Sequence, residues 1–115
     1  MSELQFNLGM ASFTLREFDL VKAAEMTKRA GLTHISLKSM HLPLDLEENE
    51  LKEATKKVRE IGLNLYGCGV VYMETKEEVK NAFQYAQTAD MEIIIGVPEK
   101  ELLDFVEEKI KEYDI

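Results

Sequence analysis

Lys28-Arg29-Ala30-Gly31-Leu32 and Val58-Arg59-Glu60-Ile61-Gly62-Leu63 are near copies of one joint. In each, a basic residue sits near the end of a helical pattern, a glycine follows where the helix stops, and an apolar residue enters the next run. Glycine suits that stop because it adopts the left-handed backbone that caps a helix C-terminus at little steric cost. Working outward from the two joints, the chain divides into four copies of one unit, an apolar strand followed by an amphipathic helix. Phe6 to Phe13 leads into a helix from about Asp19 to Ala30, and Thr33 to Lys38 into one from about Leu46 to Ile61. Leu63 to Tyr72 leads into a helix from about Thr75 to Ala89, and Met91 to Val97 into one from about Glu99 to Tyr113. Each unit takes roughly 25 to 30 residues, the size of one strand with its crossover helix. Strands joined by such crossovers run parallel.

The helix ends carry their own signals. Asp19 and Thr75 are N-cap residues, and Thr75-Lys76-Glu77-Glu78 is a capping box. Pro43 falls in the loop after the second strand, and Pro98 falls just after the fourth, where a first helical turn does not need its missing N–H. The spacing predicts that the second helix buries Leu51, Ala54, Val58 and Ile61. By the same spacing the third buries Val79, Ala82, Phe83 and Ala86, and the fourth Leu102, Phe105, Val106 and Ile110. One apolar stripe per helix covers one face of a sheet.

Composition sets the class. A chain of 115 residues with 45% hydrophobic content builds a single core, so residues 1–115 are expected to form one domain. No apolar run approaches the ~20 residues that cross a membrane. The opening Met1-Ser2-Glu3-Leu4-Gln5 has neither a basic leader nor an apolar signal region, and a cytoplasmic location is expected. Cys68 is the only cysteine, which excludes an internal disulfide and a cysteine-based zinc site. Twenty-two acidic and 14 basic residues give a net charge of −8, which weighs against a nucleic-acid partner. There is no Gly-x-Gly-x-x-Gly after a strand and no Walker-type loop; Gly67-Cys68-Gly69 lies within the third strand and reads as room for a bulge or a close-approaching ligand.

Alternation along the strands divides the sheet into two faces. If Ile35 and Leu37, Leu63 and Leu65, and Ile93, Ile95 and Val97 pack under the helices, the opposite parity carries a mixed, partly polar set. That set is Asn7, Gly9 and Ala11, then His34, Ser36 and Lys38, then Asn64, Tyr66 and Cys68, then Glu92, Ile94 and Gly96. A doubly wound sheet is covered by helices on both faces and reads as continuous apolar runs, whereas a barrel lumen has its own layers and turns polar toward one end. The pattern favours a barrel-type curl, (β/α)4, with four parallel strands and all helices on one face. The other reading is that the polar residues at strand ends merely lie outside the packed layers.

Four stretches carry a resemblance. Leu8 to Leu15, His34-Ile35-Ser36-Leu37-Lys38-Ser39-Met40-His41-Leu42-Pro43-Leu44, Leu65-Tyr66-Gly67-Cys68-Gly69-Val70 and Ile93-Ile94-Ile95-Gly96-Val97-Pro98 resemble the first four strands of sugar phosphate isomerase/epimerase proteins of the xylose isomerase-like TIM-barrel superfamily. The resemblance runs over essentially the whole chain and covers the N-terminal half of that family. It implies half of a TIM barrel. A complete (β/α)8 barrel needs ~250 residues. It also implies that the parent activity moves a proton beside a sugar carbonyl with a divalent metal such as manganese, held by carboxylates and a histidine on strands five to eight. None of those groups can be placed on this sequence, so no catalytic residue, metal ligand or cofactor is assigned to it, and the chain alone is expected to be inactive. The alternative is a non-catalytic half-barrel scaffold that associates with itself.

What such a half contributes is a pocket wall at the C-terminal ends of its strands, where barrel active sites lie. Lys38, His41, Tyr66 and Cys68 are the candidate substrate-binding residues for a sugar or sugar phosphate. Each has a plainer role open to it. Lys38 can be a solvated strand end, His41 an ordinary loop histidine, and Cys68 a small core hydrophobe with no basic neighbour to lower its pKa. His34 lies at the stability end of its strand and reads as structural. The bare face and the two open edges call for a partner, either a second copy in a homodimer or larger even assembly, or a C-terminal half barrel. Because the sequence offers no set of three or four ligands, calorimetric titration is expected to find no stoichiometric manganese or zinc site. A one-to-one site of micromolar affinity would contradict this.

Overall fold

Four parallel strands form one sheet in the order β1-β2-β3-β4. They are β1 (Gly9–Ala11), β2 (His34–Leu37), β3 (Asn64–Met73) and β4 (Ile93–Pro98), and they alternate with α1 (Leu20–Arg29), α2 (Glu48–Glu60), α3 (Lys76–Thr88) and α4 (Leu103–Tyr113). Short 3₁₀ turns at Ser12–Leu15 and Lys100–Leu102 follow β1 and precede α4. This is the (β/α)4 architecture of a half barrel. The computed structural model describes residues 7–115, so the expected strand start at Phe6 and the chain's first residues lie outside the described part.

The joints form as their residues dictate. Gly31 and Gly62 take φ of +87° and +105°, just past the ends of α1 and α2. The third joint uses Asp90 in the same left-handed region, at φ 55°. Asp19 accepts from Lys22 N at 2.8 Å, and Thr75 accepts from Glu78 N at 3.1 Å. The Glu78 carboxylate reaches back to Glu74 N at 2.9 Å, which completes the reciprocal box one residue before the cap.

The core is one cluster between the sheet and the helix layer. Ile35, Leu37 and Leu65 join Ala24, Leu51, Val58, Val79, Ala82, Phe83 and Ala86 in it. α4 is the looser member: Leu102 just before it is buried, Phe105 and Val106 are partly covered, and Ile110 remains 46% exposed, short of the burial expected for it. The sheet stops at β4, so α4 has α3 on one side and no further strand to cover on the other.

The expected parity fails at Cys68 and through β4, while Val71 and Met73 keep the parity of Leu65 because the second of two slips in β3 undoes the first. The buried side chains of β3, Leu65, Cys68, Val71 and Met73, are spaced three, three and two apart, where a regular strand would keep to two. The register slips twice, once against β2 so that Tyr66 is skipped, and once against β4 so that Val70 is skipped. Each slip inserts one residue and reverses the facing of all that follows. Cys68 therefore turns under the helices, 2% exposed, and β4 is reversed with it. Ile94, expected on the open face, packs against the core. Ile93, Ile95 and Val97, expected under the helices, are 48%, 47% and 48% exposed on the open face, beside Tyr72 at 65%.

The glycines of Gly67-Cys68-Gly69 belong to this irregularity. A Cβ at Gly67 would stand 2.7 Å from Ile93 O, and one at Gly69 would collide with Ile95 O. Both positions let β4 approach the bulged strand. Gly67→Ala is accordingly expected to lower stability by about 1–3 kcal/mol through overpacking against backbone. Asp90→Gly is expected to raise it by up to about 1 kcal/mol by relieving a left-handed non-glycine residue. Denaturant midpoints with unchanged slopes check both signs.

Candidate functional site

Parallel strands followed by helices gather their outgoing loops at one end of the sheet, the mouth. Two of those loops are held together by side chains. Ser12, 1% exposed in the turn after β1, accepts from Lys38 N at 2.8 Å across the mouth. His41 N and Leu42 N donate to Lys38 O at 2.9 and 3.1 Å and turn the chain after β2. Tyr85 reaches from α3 to donate to Leu42 O at 2.7 Å.

His41 completes the arrangement. It is 7% exposed, with Nε2 at 3.1 Å from Leu15 O and 2.8 Å from Phe18 O. Two carbonyl acceptors require the hydrogen to be on Nε2, which leaves Nδ1 buried and without a partner among the described residues. His41 is therefore a strut between the β2 loop and the segment entering α1, and its Nε2 is taken.

Lys38 is the predicted residue that lies at the mouth with its charge free to act. Its Nζ stands 5.7 Å from the centre of the Phe13 ring, and the Arg16 guanidinium carbon stands 4.7 Å from the same ring. Arg16 Nη1 donates to Phe13 O at 3.3 Å. Phe13 is 48% exposed. Phe13 and Arg16 were not found from the sequence, where Phe13 reads as the end of a strand and Arg16 as part of a connector. The available signal was their spacing of three, which a 3₁₀ turn eclipses onto one side.

Tyr66 is on the open face but toward the opposite end. Its ring packs against His34 with centroids 5.9 Å apart. His34 Nε2 accepts from Asn64 Nδ2 at 3.3 Å, so Nδ1 carries the hydrogen and donates to Thr33 Oγ1 at 2.7 Å. A Cβ on Gly9 would come within 3.2 Å of Tyr66 Cε1, so the missing side chain makes room for this floor. Cys68 is the fourth candidate, and it lies on the helix side of the sheet. Burial pushes its thiol up to about 11. Tyr85 is also raised, first by burial and then by Cys68. The structure thus brings Lys38 together with Phe13 and Arg16, and separates it from Tyr66 and Cys68.

No group of three or more His, Cys, Asp or Glu side chains comes together among the described residues in a way that would hold a metal. Nor is any helix among them long and apolar enough to cross a membrane.

No protein-family model matches the chain, and no curated protein does. Among solved structures it is similar to an uncharacterized protein from Parabacteroides distasonis, with a TM-score of 0.88 and 21% sequence identity. The match covers 96% of this chain and 50% of that one, so the chain spans about half the length of the protein it resembles. At that identity the likeness shows the fold alone.

The Cys68 environment has a measurable consequence. Below pH 9 the thiol is protonated in folded and unfolded chains alike, and its burial costs nothing in ionisation. As pH rises from 9.0, the ordinary value, toward about 11, the unfolded chain releases a proton that the folded chain keeps, so stability falls with pH. Denaturant midpoints between pH 9 and 11 are expected to drop less steeply for Cys68→Ala than for the wild type. A folded-state thiol absorbance that titrates near 9 would contradict the placement.

Proposed function

We propose that this chain is the N-terminal half of a sugar or sugar phosphate isomerase/epimerase-like (β/α)8 barrel, in which it supplies one wall of the substrate pocket. The observation that carries the reading is the open face. Tyr72, Ile93, Ile95 and Val97 stand half-exposed or more on it, and β4 has a free edge. Beside that edge, Met73, Ile93, Ile94, Val106, Ile110 and Ile115 line a groove of about 220 Å³. A further strand paired with β4 would fill the groove from one side and extend the lumen from the other.

The chemistry rests on the resemblance of the four strand stretches to sugar isomerases and epimerases. The divalent metal which that resemblance implies does not fit the described residues, since they converge in no ligand set and His41 Nε2 is already bonded. No step of the proposal runs through it in this half. The role left to the chain is binding: positioning a polyol at the mouth and excluding water on one side.

In the absence of a C-terminal half, the exposed apolar residues favour a second reading in which two copies close on each other through the open face. Sedimentation of the chain alone is expected to give a dimer or larger even assembly, and Ile95→Asp is expected to shift it to monomer, because a carboxylate buried between two sheets costs several kcal/mol. Isomerase assays are expected to show no turnover by the chain alone and turnover only with a complementary half. A compact monomer whose mass and stability ignore the substitution would refute closure, and turnover by the pure chain would refute the assignment of chemistry to the other half.

A further inference from the structure

The two edges of the sheet carry complementary features. At the β4 edge, Ile94 and the α4 residues Val106 and Ile110 line an apolar groove, and Ile110 is left 46% exposed beside it. At the β1 edge, Leu8 is also 46% exposed. It lies two residues before Met10, whose side chain packs against the core, so Leu8 continues the helix side of the strand. One edge thus offers an apolar knob and the other an apolar recess. The charges at the mouth divide in the same way. Glu99 follows β4 directly and Arg16 ends the turn after β1, and among the described residues neither forms an ion pair.

The strand pairing fixes how two such edges can meet. Ala11 pairs with Ser36, Ser36 with Gly67 and Gly67 with Ile93, so Ala11 and Ile93 occupy one row across the sheet. An eight-stranded barrel of this class has a shear of about 8, so a two-fold axis along it gives each half a stagger of about 4 residues. A row returning that much later would put Ile93 beside Leu15, in the turn beyond β1. A row returning that much earlier puts it beside Asn7. We propose that a second copy of this chain occupies the β4 edge, its β1 running parallel to β4 with Ile95 beside Gly9, and Val97 beside Ala11, of the second copy. In this register Leu8 of the second copy comes beside Ile94 and enters the groove, and Ile95 and Val97 share the open face with their new neighbours, as paired strands require. Glu99 comes beside Phe13 of the second copy, the residue whose ring lies 4.7 Å from the Arg16 guanidinium carbon. The competing two-fold arrangement joins β4 to β4 antiparallel. Centred between Ile95 and Gly96, it sets Glu92 against Glu99 at both ends, and like charges directly opposite are destabilising. The proposal rests on the closure of two copies through the open face, and adds which edges meet and in what register.

The test is a disulfide across the seam, read on non-reducing gels and by sedimentation. Neighbouring strands lie about 4.7–4.9 Å apart, inside the roughly 4.4–6.8 Å between Cα atoms that a disulfide spans. The double variant Ala11→Cys/Val97→Cys is expected to oxidise to a covalent dimer. Ala11→Cys and Val97→Cys alone are expected to stay uncrosslinked, because the two-fold axis leaves identical positions on opposite sides of the barrel, and Cys68 is buried. Leu8→Asp, at a residue exposed in the single chain, is expected to shift sedimentation to monomer with no loss of helical signal. Arg16→Glu and Glu99→Arg are each expected to weaken dimerisation about tenfold, since the axis makes the contact twice, and the two reversals together to restore most of the loss. Should the cysteine pair disturb folding, the charge reversals carry the comparison. A dimer that crosslinks through Val97→Cys alone, or one in which neither the cysteine pair bonds nor the charge reversals compensate, overturns the seam and leaves closure standing. A monomer at all concentrations overturns both, and leaves the β4 edge to a complementary half barrel.

Discussion

All four helices cover the same side of the sheet because each crossover between neighbouring parallel strands is right-handed and the strand order never reverses. From that constraint the rest of the molecule follows. Only one side of each strand can reach the core, so burial of Ile35, Leu37, Leu65, Cys68, Val71 and Met73 defines the helix side, and the side chains turned away from them face outward. The molecule is a slab of 45 × 33 × 22 Å, its thin dimension spanning a sheet and one helix layer. The price is an apolar β4 surface without a covering layer and an α4 that finds only partial burial.

Successive units are also linked at the end remote from the mouth. Lys28 Nζ reaches from the first joint toward Gly62 O of the second, at 3.5 Å. Arg59 Nη2 reaches from the second to Ala89 O and Asp90 O of the third, at 2.7 and 3.0 Å. The basic residue of each joint thus satisfies carbonyls at the next helix end, where backbone acceptors would otherwise be orphaned. The Arg59 contact to Ala89 O is short and partly buried, and a charge-assisted bond of that kind contributes about 1.5–3 kcal/mol; the exposed contacts of Arg59 to Asp90 O and of Lys28 to Gly62 O contribute less. This places stability at the N-terminal ends of the strands and leaves the opposite loops free to carry binding groups.

The repeat, the joints, the caps and the helix stripes were legible because each is written in local chemistry: Gly31 and Gly62 in a left-handed turn, Thr75 with Glu78, and Val79, Ala82, Phe83 and Ala86 at helical spacing. The facing of Cys68 and of β4 was not: alternation cannot register the residues inserted in β3, and Ile93-Ile94-Ile95 is apolar at both parities, so its pattern does not choose a face. Gly67 and Gly69 marked the irregular segment, but nothing in their identity says that Tyr66 and Val70 are the residues the ladder skips. The same limit moved Cys68 from the pocket wall to the core. At the mouth, Lys38 was visible from its place after a strand, while Arg16 depended on a 3₁₀ turn that leaves no periodic trace. His41 looked like a group available for chemistry because the two carbonyls that occupy it come from a segment 23 and 26 residues away.

Those long-range contacts explain how irregular loops can present a defined surface. Buried polar side chains are costly unless they are hydrogen-bonded, so each one that is satisfied excludes alternative loop paths that would leave it unsatisfied. Ser12 and His41 are two of the five buried polar residues among those described, and both lie at the mouth. Ser12 fixes Lys38 N, His41 fixes Leu15 O and Phe18 O, and Tyr85 fixes Leu42 O. All four bonds join side chain to backbone across separate elements, and all are made within this half of the architecture. The mouth loops therefore do not depend on closure of the open face for their shape. Closure would lower the local dielectric around Phe13, Arg16 and Lys38 without having to build the loops that hold them.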